Sequence, residues 1–304
     1  MRVSLRQVEI FCVLAKELHF GRAAEELFIT QAVVSQELRR LERLIGVRLF
    51  ERTTRKVQLT EQGSTFLPTA QAVYDASRYL NRVASHLAES ASTPVRLAAS
   101  PSAMDFFVPQ LLKEVDVQSA GAVEEIAVET GRVDHMIESD QCDVGIGRYI
   151  MMSDRYEVEH IYDDEVYVVL STSHPLAREA AIDLKDLANL PLLLWARDQH
   201  PLYYDALIAI CHERGLEPLI MTGRPHIIGA RSYLLSENRV FALIPRPAVS
   251  KLQQPGLVAR PLARRAAVPM SMAWLRDDSR PSVRRLVSIA RRLASDPTRV
   301  EAPI

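Results

Sequence analysis

Three cysteines in 304 residues, Cys12, Cys142 and Cys211, are odd in number and scattered, which argues against a disulfide framework. A reducing cytoplasm suits such a chain. No apolar run is long enough to span a bilayer. Met1–Leu14 carries Arg2, Arg6 and Glu9 and lacks a continuous apolar core before a cleavage site, which predicts no signal peptide. The eight histidines show no metal-ligand spacing. A Gly-x-Ser-x-Gly elbow and a phosphate-binding glycine loop are both missing. Gly145-Ile146-Gly147 ends a strand pattern but lacks the third glycine of a dinucleotide fingerprint. An enzyme reading needs a nucleophile–base set or a cofactor loop, and without these motifs no enzyme is expected, nor a cofactor or metal. Internal repeats and low-complexity tracts are absent too.

What is present is the composition of a globular protein, 48% hydrophobic and 25% charged, long enough for two or three domains. The net charge of −1 hides an asymmetry. Residues 1–60 hold 11 Lys and Arg against 7 Asp and Glu, or +4, which leaves 26 against 31, or −5, for the remainder. A basic head on an acidic body fits a nucleic-acid module joined to a separate domain.

Leu5–Leu18 reads as a first helix, with Val8, Phe11, Cys12 and Ala15 at core spacing. A short helix over about Gly21–Leu27 follows. Thr30 is a good N-cap for a further helix, on which Val34, Leu38, Leu41 and Ile45 make one apolar face. Gln31, Ser35 and Arg39 sit four apart on another face, with Gln36 and Arg40 beside them. Amide, hydroxyl and guanidinium groups so placed reach base edges in a major groove, which makes the pair a helix-turn-helix. The competing reading is an ordinary helical pair with a solvated charged face. Gly46 stops the helix, and Leu49 and Phe50 return to the core. Arg52, Thr53, Thr54, Arg55 and Lys56 form a basic tip, and Val57–Leu59 alternates as a strand would. Arg52, Thr53, Arg55 and Lys56 therefore suit phosphate contact, which fixes register without reading bases.

Thr30 to Glu42, TQAVVSQELRRLE, with LFER at 49–52 and LTEQG at 59–63, resembles the DNA-binding domain of LysR-type transcriptional regulators. The chain departs at Gln36, where the family usually has Arg. The resemblance implies an N-terminal winged helix-turn-helix over residues 1–60, binding double-stranded DNA, with RNA polymerase a further partner. Some relatives sense oxidants through a cysteine pair, and Cys142 with Cys211 is the pair this would nominate. Buried inert thiols are the simpler expectation.

From Thr60 to Leu87, Phe66, Ala70, Val73, Ser77, Leu80, Ala84 and Leu87 recur at steps of four and three, a heptad seam. Pro68 lies near the start, where a first turn tolerates it. Either the helix packs on its own domain, or Phe66, Val73, Leu80 and Leu87 pair two chains. In the resembled family it is the linker helix of a dimer, here residues 61–90 with the hinge ESASTP at 89–94. Whether dimers pair into tetramers stays open.

Beyond the hinge, short apolar strands alternate with helices, which implies covered parallel sheet. The expected strands are Val95–Ala99, Ala122–Val128, Cys142–Gly147, Asp163–Ser171, Leu192–Trp195, Leu219–Thr222, Val240–Pro245 and Met270–Leu275. The expected helices are Met104–Val115, Val133–Ser139, Tyr204–Arg214, Ile227–Leu235 and Val283–Leu293. Residues 91–304 thus resemble the two-lobed, periplasmic-binding-protein-like α/β sensor of LysR-type regulators. One lobe spans about 91–163 and 268–304, the other about 164–267. The whole is an α+β multidomain chain.

Ligands in open α/β sheets bind beyond strand carboxyl ends, near helix N-termini. Ser100 or Ser102 can cap such a helix, with Asp105 completing the arrangement, and Thr130 follows the next strand. Pro201, Leu202 and Tyr203 begin a helix in the other lobe and would cover a ligand. These positions resemble the effector site of the family branch responding to benzoate, muconate and related acids, which implies a small carboxylate effector, and the segment Asp143–Arg148 (DVGIGR) is also similar to that branch. Ser236–Arg239 replaces a glycine-rich turn, and its larger side chains are expected to reshape that pocket. A solute-binding transport protein fits the body but not the basic head.

Overall fold

The computed structural model describes residues 2–52, 57–88, 93–118, 122–223, 232–252 and 254–295, with backbone alone at 52, 82, 85–88 and 232. The chain divides into two compact units, Met1–Glu89 and Ser90–Ile304.

The first unit holds α1 (Leu5–Glu17), α2 (Phe20–Glu26) and α3 (Gln31–Ile45), a hairpin of β1 (Phe50–Arg52) and β2 (Val57–Leu59), and α4 (Glu61–Ala88). Each start has a local cause. Ser4 and Gln7 form a capping box on α1. The Thr30 hydroxyl accepts from the Val33 N–H at the start of α3, and Gly46 ends that helix at φ +83°. The Thr60 hydroxyl accepts from the Gly63 N–H at 2.9 Å and donates to the Arg48 carbonyl at 2.8 Å, tying α4 to the head. Gly63 is itself required, since a Cβ there would lie 2.1 Å from the Leu49 carbonyl oxygen.

Two expectations for α4 need correction. Pro68 is the eighth residue of the helix, not part of its first turn. Phe66 is not part of a free seam. Its ring meets Phe11 edge-on at 5.1 Å, and Ala70 is buried in the same core, so this end of the heptad repeat packs on α1. Farther along, Val73 and Leu80 are exposed, Leu80 by 63%. The Leu87 side chain lies outside the described residues.

The second unit is built on one seven-stranded sheet. Along it run β10 (Leu257–Pro261), β6 (Tyr156–Ser171), β11 (Ala267–Leu275), β5 (Val144–Gly147), β3 (Val95–Ala99) and β4 (Val123–Ala127), with β9 (Ala242–Pro245) also paired to β6. β3 runs parallel to β4 and β5, whereas β11 runs antiparallel to β5 and β6. The long β6 is continuous over 16 residues, against the nine of the Asp163–Ser171 pattern, and β10 is a strand beyond those the pattern marks. One core gathers β3, β5, α5 (Pro101–Val117) and the C-terminal helix Pro281–Ala294. A second gathers the far half of β6 with β7 (Leu192–Leu194), α7 (Pro201–His212) and Phe241. β6 and β11 cross between them, making two lobes, and β7 pairs in parallel with β8 (Ile220–Thr222) in the second. Gly145 and Gly147 let α6 (Val133–Glu138) pack closely on β5. A Cβ on either would come within 3 Å of Val133, a packing reason for glycines that resembled half a cofactor loop. Of the helix expected at Ile227–Leu235, residues 227–231 lie outside the described residues, and α8 is Ser232–Ser236. Among the described residues no helix is long and apolar enough to cross a membrane.

Candidate functional site

In the first unit, Val34, Leu38 and Leu41 bury one face of α3 and thereby turn the opposite face outward. Gln31, Gln36, Arg39 and Arg40 are exposed and Ser35 is half-buried. Arg40 is engaged on its own helix, in an ion pair with Glu37. The exposed Arg43 and Arg48, which the sequence reading passed over, line a hollow with Arg39 and Phe50. Glu42 shapes that end, its Oε1 accepting from the N–H groups of Leu49 at 2.9 Å and Phe50 at 3.3 Å. Of the proposed phosphate contacts, Thr53, Arg55 and Lys56 lie outside the described residues, and only the backbone of Arg52 is described.

In the second unit, a cavity of about 300 Å3 opens between the lobes. That is the small end of the range for ligand sites. Lobe I contributes Ser102 and Thr130, and lobe II contributes Trp195, Tyr203 and Ile244. Arg148, at the end of β5, sits on the cavity wall with its side chain 2% exposed. It pairs with the buried Asp164 and donates to the Ser102 hydroxyl at 2.9 Å and the Val268 carbonyl at 3.3 Å. Its guanidinium lies 5.7 Å from the Tyr203 ring centroid. Burial pushes the Asp164 carboxyl up, against the pull of the Arg148 charge. Tyr203 stacks on Tyr149 at 5.9 Å and tilts against Trp195 at 5.1 Å, forming an aromatic wall. His200 Nε2 lies 3.1 Å from the Arg148 carbonyl. A carbonyl only accepts, so Nε2 carries the proton, and burial holds this imidazole below its usual range.

Several expected positions are displaced. Ser100 occupies the N-cap of α5 but makes no capping bond, and its buried hydroxyl has no partner among the described residues. Ser102 is turned to Arg148, and Asp105 pairs with Lys251 at 3.3 Å, so the predicted capping arrangement does not form. Pro201 and Leu202 do begin α7, yet both face solvent, Leu202 being 42% exposed, and neither lines the cavity. One side of the helix turns inward, at Tyr203, Leu207, Ile210 and Cys211, which is why Tyr203 alone of these three reaches the cavity. Ser236–Arg239 does not line the cavity either, so its side chains do not reshape it. All three cysteines are buried and none forms a disulfide among the described residues. Cys142 and Cys211 belong to different cores, and burial pushes the Cys211 thiol up to about 12.

Comparison with known proteins covers both units. The pattern described as "LysR substrate binding domain" matches residues 88–295, and that described as "Bacterial regulatory helix-turn-helix protein, lysR family" matches residues 5–64. The "HTH-type transcriptional regulator TfdS" of Cupriavidus pinatubonensis is 27% identical over 294 residues, covering 95% of this chain and 98% of that one. An H2O2-bound cysteine-to-serine mutant of Corynebacterium glutamicum OxyR is 26% identical with a TM-score of 0.55, over 96% of this chain and 92% of that one. Full-length CbnR complexed with its target DNA shares the fold at a TM-score of 0.56 and 21% identity, over 96% and 100%.

Proposed function

This chain belongs to the LysR family, a DNA-binding transcriptional regulator with a substrate-binding domain rather than an enzyme, and on that premise we propose that a small carboxylate bound between its lobes sets its action on DNA. The supporting observation is the Ser102 hydroxyl. It accepts from Arg148, so its own proton is left to donate toward the cavity that it lines. The charged side chains on the wall, Arg148 and Lys251 against Asp105 and Glu129, balance in number. Preference for an anion therefore rests on donors and on the N-terminus of α5, not on net charge. Thr130 on the same lobe adds a second hydroxyl, and the aromatic wall of lobe II covers an apolar body.

The division is 1–60 for the DNA-binding domain, 61–90 for the linker helix and 91–304 for the effector domain. Gln31, Ser35, Gln36 and Arg39 face bases, while Arg52, Thr53, Arg55 and Lys56 hold phosphates. The partners are double-stranded DNA, the effector, a second copy of the chain and RNA polymerase, in the cytoplasm. A ligand spanning both lobes favours the lobe arrangement with contacts on both sides, by no more than its affinity differs between arrangements. The test is calorimetric titration of aromatic and dicarboxylic acids against wild type, Ser102→Ala and Thr130→Val. Each variant should lose about 0.5–3 kcal/mol of effector affinity per hydrogen bond, with DNA affinity in the absence of ligand unchanged. A ligand that alters the DNA footprint yet binds all three proteins equally would place the effector site elsewhere.

A further inference from the structure

The turn between α2 and α3 is closed by a phenylalanine in a backbone conformation that favours glycine or asparagine. Phe28 stands at φ +53°, in the left-handed region. The Phe28 N–H donates to the Glu25 carbonyl and the Ile29 N–H to the Ala24 carbonyl, so the chain reverses at this residue. Its ring gains nothing from the fold, being 90% exposed while its neighbours Leu27 and Ile29 pack inward. An asparagine would close the same turn with less strain and no exposed aromatic surface. The fold does not ask for this side chain, so its use lies outside the fold.

Its place names the occupant. Phe28 precedes the Thr30 N-cap of α3 by two residues, and three residues of chain reach at most about 11 Å, which keeps it close to Gln31. In a helix-turn-helix the N-terminal end of the second helix is the part that meets base edges. Val33, one turn into α3, is also exposed, so this end presents apolar surface beside its amides. DNA offers apolar surface in two forms, the thymine methyl and the deoxyribose face. We propose that the Phe28 ring packs on such an apolar surface of the bound duplex, beside the bases read by α3. The inference rests on the assignment of α3 as the recognition helix.

The probe is a set of duplexes that the wild-type protein enriches from a random-sequence library. Phe28→Asn should bind them about ten-fold more weakly, the scale of one lost base-pair contact. The slope against salt should not change, because the ring neutralises no phosphate. The melting temperature of Phe28→Asn should be no lower than wild type, and Phe28→Tyr should restore binding. Thymine-to-deoxyuridine scanning separates the two surfaces. If one deoxyuridine weakens wild type but not Phe28→Asn, the ring meets a methyl. If none does while Phe28→Tyr still rescues, it lies on deoxyribose. Unchanged affinity of Phe28→Asn for an enriched duplex overturns this inference alone and assigns the ring to a protein partner. A wild-type protein that enriches no sequence overturns the recognition-helix assignment, and Phe28 with it.

Discussion

Removing one partner of the buried pair Arg148–Asp164 should cost very different amounts depending on which is removed. Both side chains are 4% exposed or less, so each charge depends on the other. In Asp164→Asn the guanidinium stays charged, since arginine does not deprotonate in proteins. A buried pair broken this way costs about 3–5 kcal/mol. For a domain of some 200 residues that lowers the melting temperature by roughly 10 °C. In Arg148→Met the stranded group is a carboxyl that burial already pushes up, and it escapes by taking a proton. The sign follows from proton binding. With its pKa raised above the unfolded value near 4, Asp164 holds a proton in the folded state where the unfolded chain has lost it. Stability of Arg148→Met should therefore be highest at and below about pH 4, fall as pH rises toward the folded pKa, and level off above it. Asp164→Asn should show no matching dependence. The assay is calorimetric melting of both variants from pH 4 to pH 8, alongside wild type. Equal, pH-independent losses would refute the reasoning and mean that water reaches the pair.

Gly63→Ala should destabilise the head by about 1–3 kcal/mol, as overpacking does, despite alanine's better helix propensity, because the new Cβ meets the Leu49 carbonyl at 2.1 Å. Thermal melting followed by circular dichroism checks it, and an unchanged midpoint would mean that the backbone yields freely. Leu80→Asp, at an exposed position, should weaken dimers and operator binding without lowering monomer stability, whereas Phe66→Asp should unfold the head. Sedimentation and melting separate the two, and an unchanged mass for Leu80→Asp would show that chains pair elsewhere. Replacing Arg55 and Lys56 with Ala should weaken all DNA sequences alike and reduce the salt slope by about one to two units. Filter binding across a salt series reads this, and an unchanged slope would remove the hairpin from the interface.

The head was legible because its signals are local. Thr30, Gly46 and the Val34, Leu38, Leu41 spacing each act within one helix, and the structure realises each at its expected place. The heptad seam misled at Phe66 because periodicity reports an apolar face and not what covers it. The same stripe packs on α1 at one end and lies exposed at Leu80. Phe28 escaped notice for the opposite reason. Nothing in the sequence signals that a phenylalanine will stand at positive φ, since that requires knowing how tightly α2 and α3 are joined.

The cleft was legible only by region. The loops after β3 and β4 and the start of α7 do meet at one cavity, because strand ends and helix starts follow from topology. Which side chain turns inward depends on a rotation of 100° per residue, and an error of one residue in the helix start moves a position from wall to solvent. That is the difference between Tyr203 and Leu202. Arg148 carries the larger lesson. Its segment DVGIGR enters the sequence reading only through a resemblance, because its partners lie 16, 46 and 120 residues away, in Asp164, Ser102 and Val268. Asp164 is on β6 and Val268 on β11, the two strands that cross between the lobes, and Ser102 opens α5. One buried cation therefore ties the proposed ligand contact to both crossing strands. A ligand that takes the Ser102 hydroxyl as donor competes for nothing with Arg148, which uses the same oxygen as acceptor. If the proposed effector binds there, lobe position and ligand contact would be coupled through that oxygen, and a change at either strand that spares the Arg148–Asp164 pair should alter effector affinity.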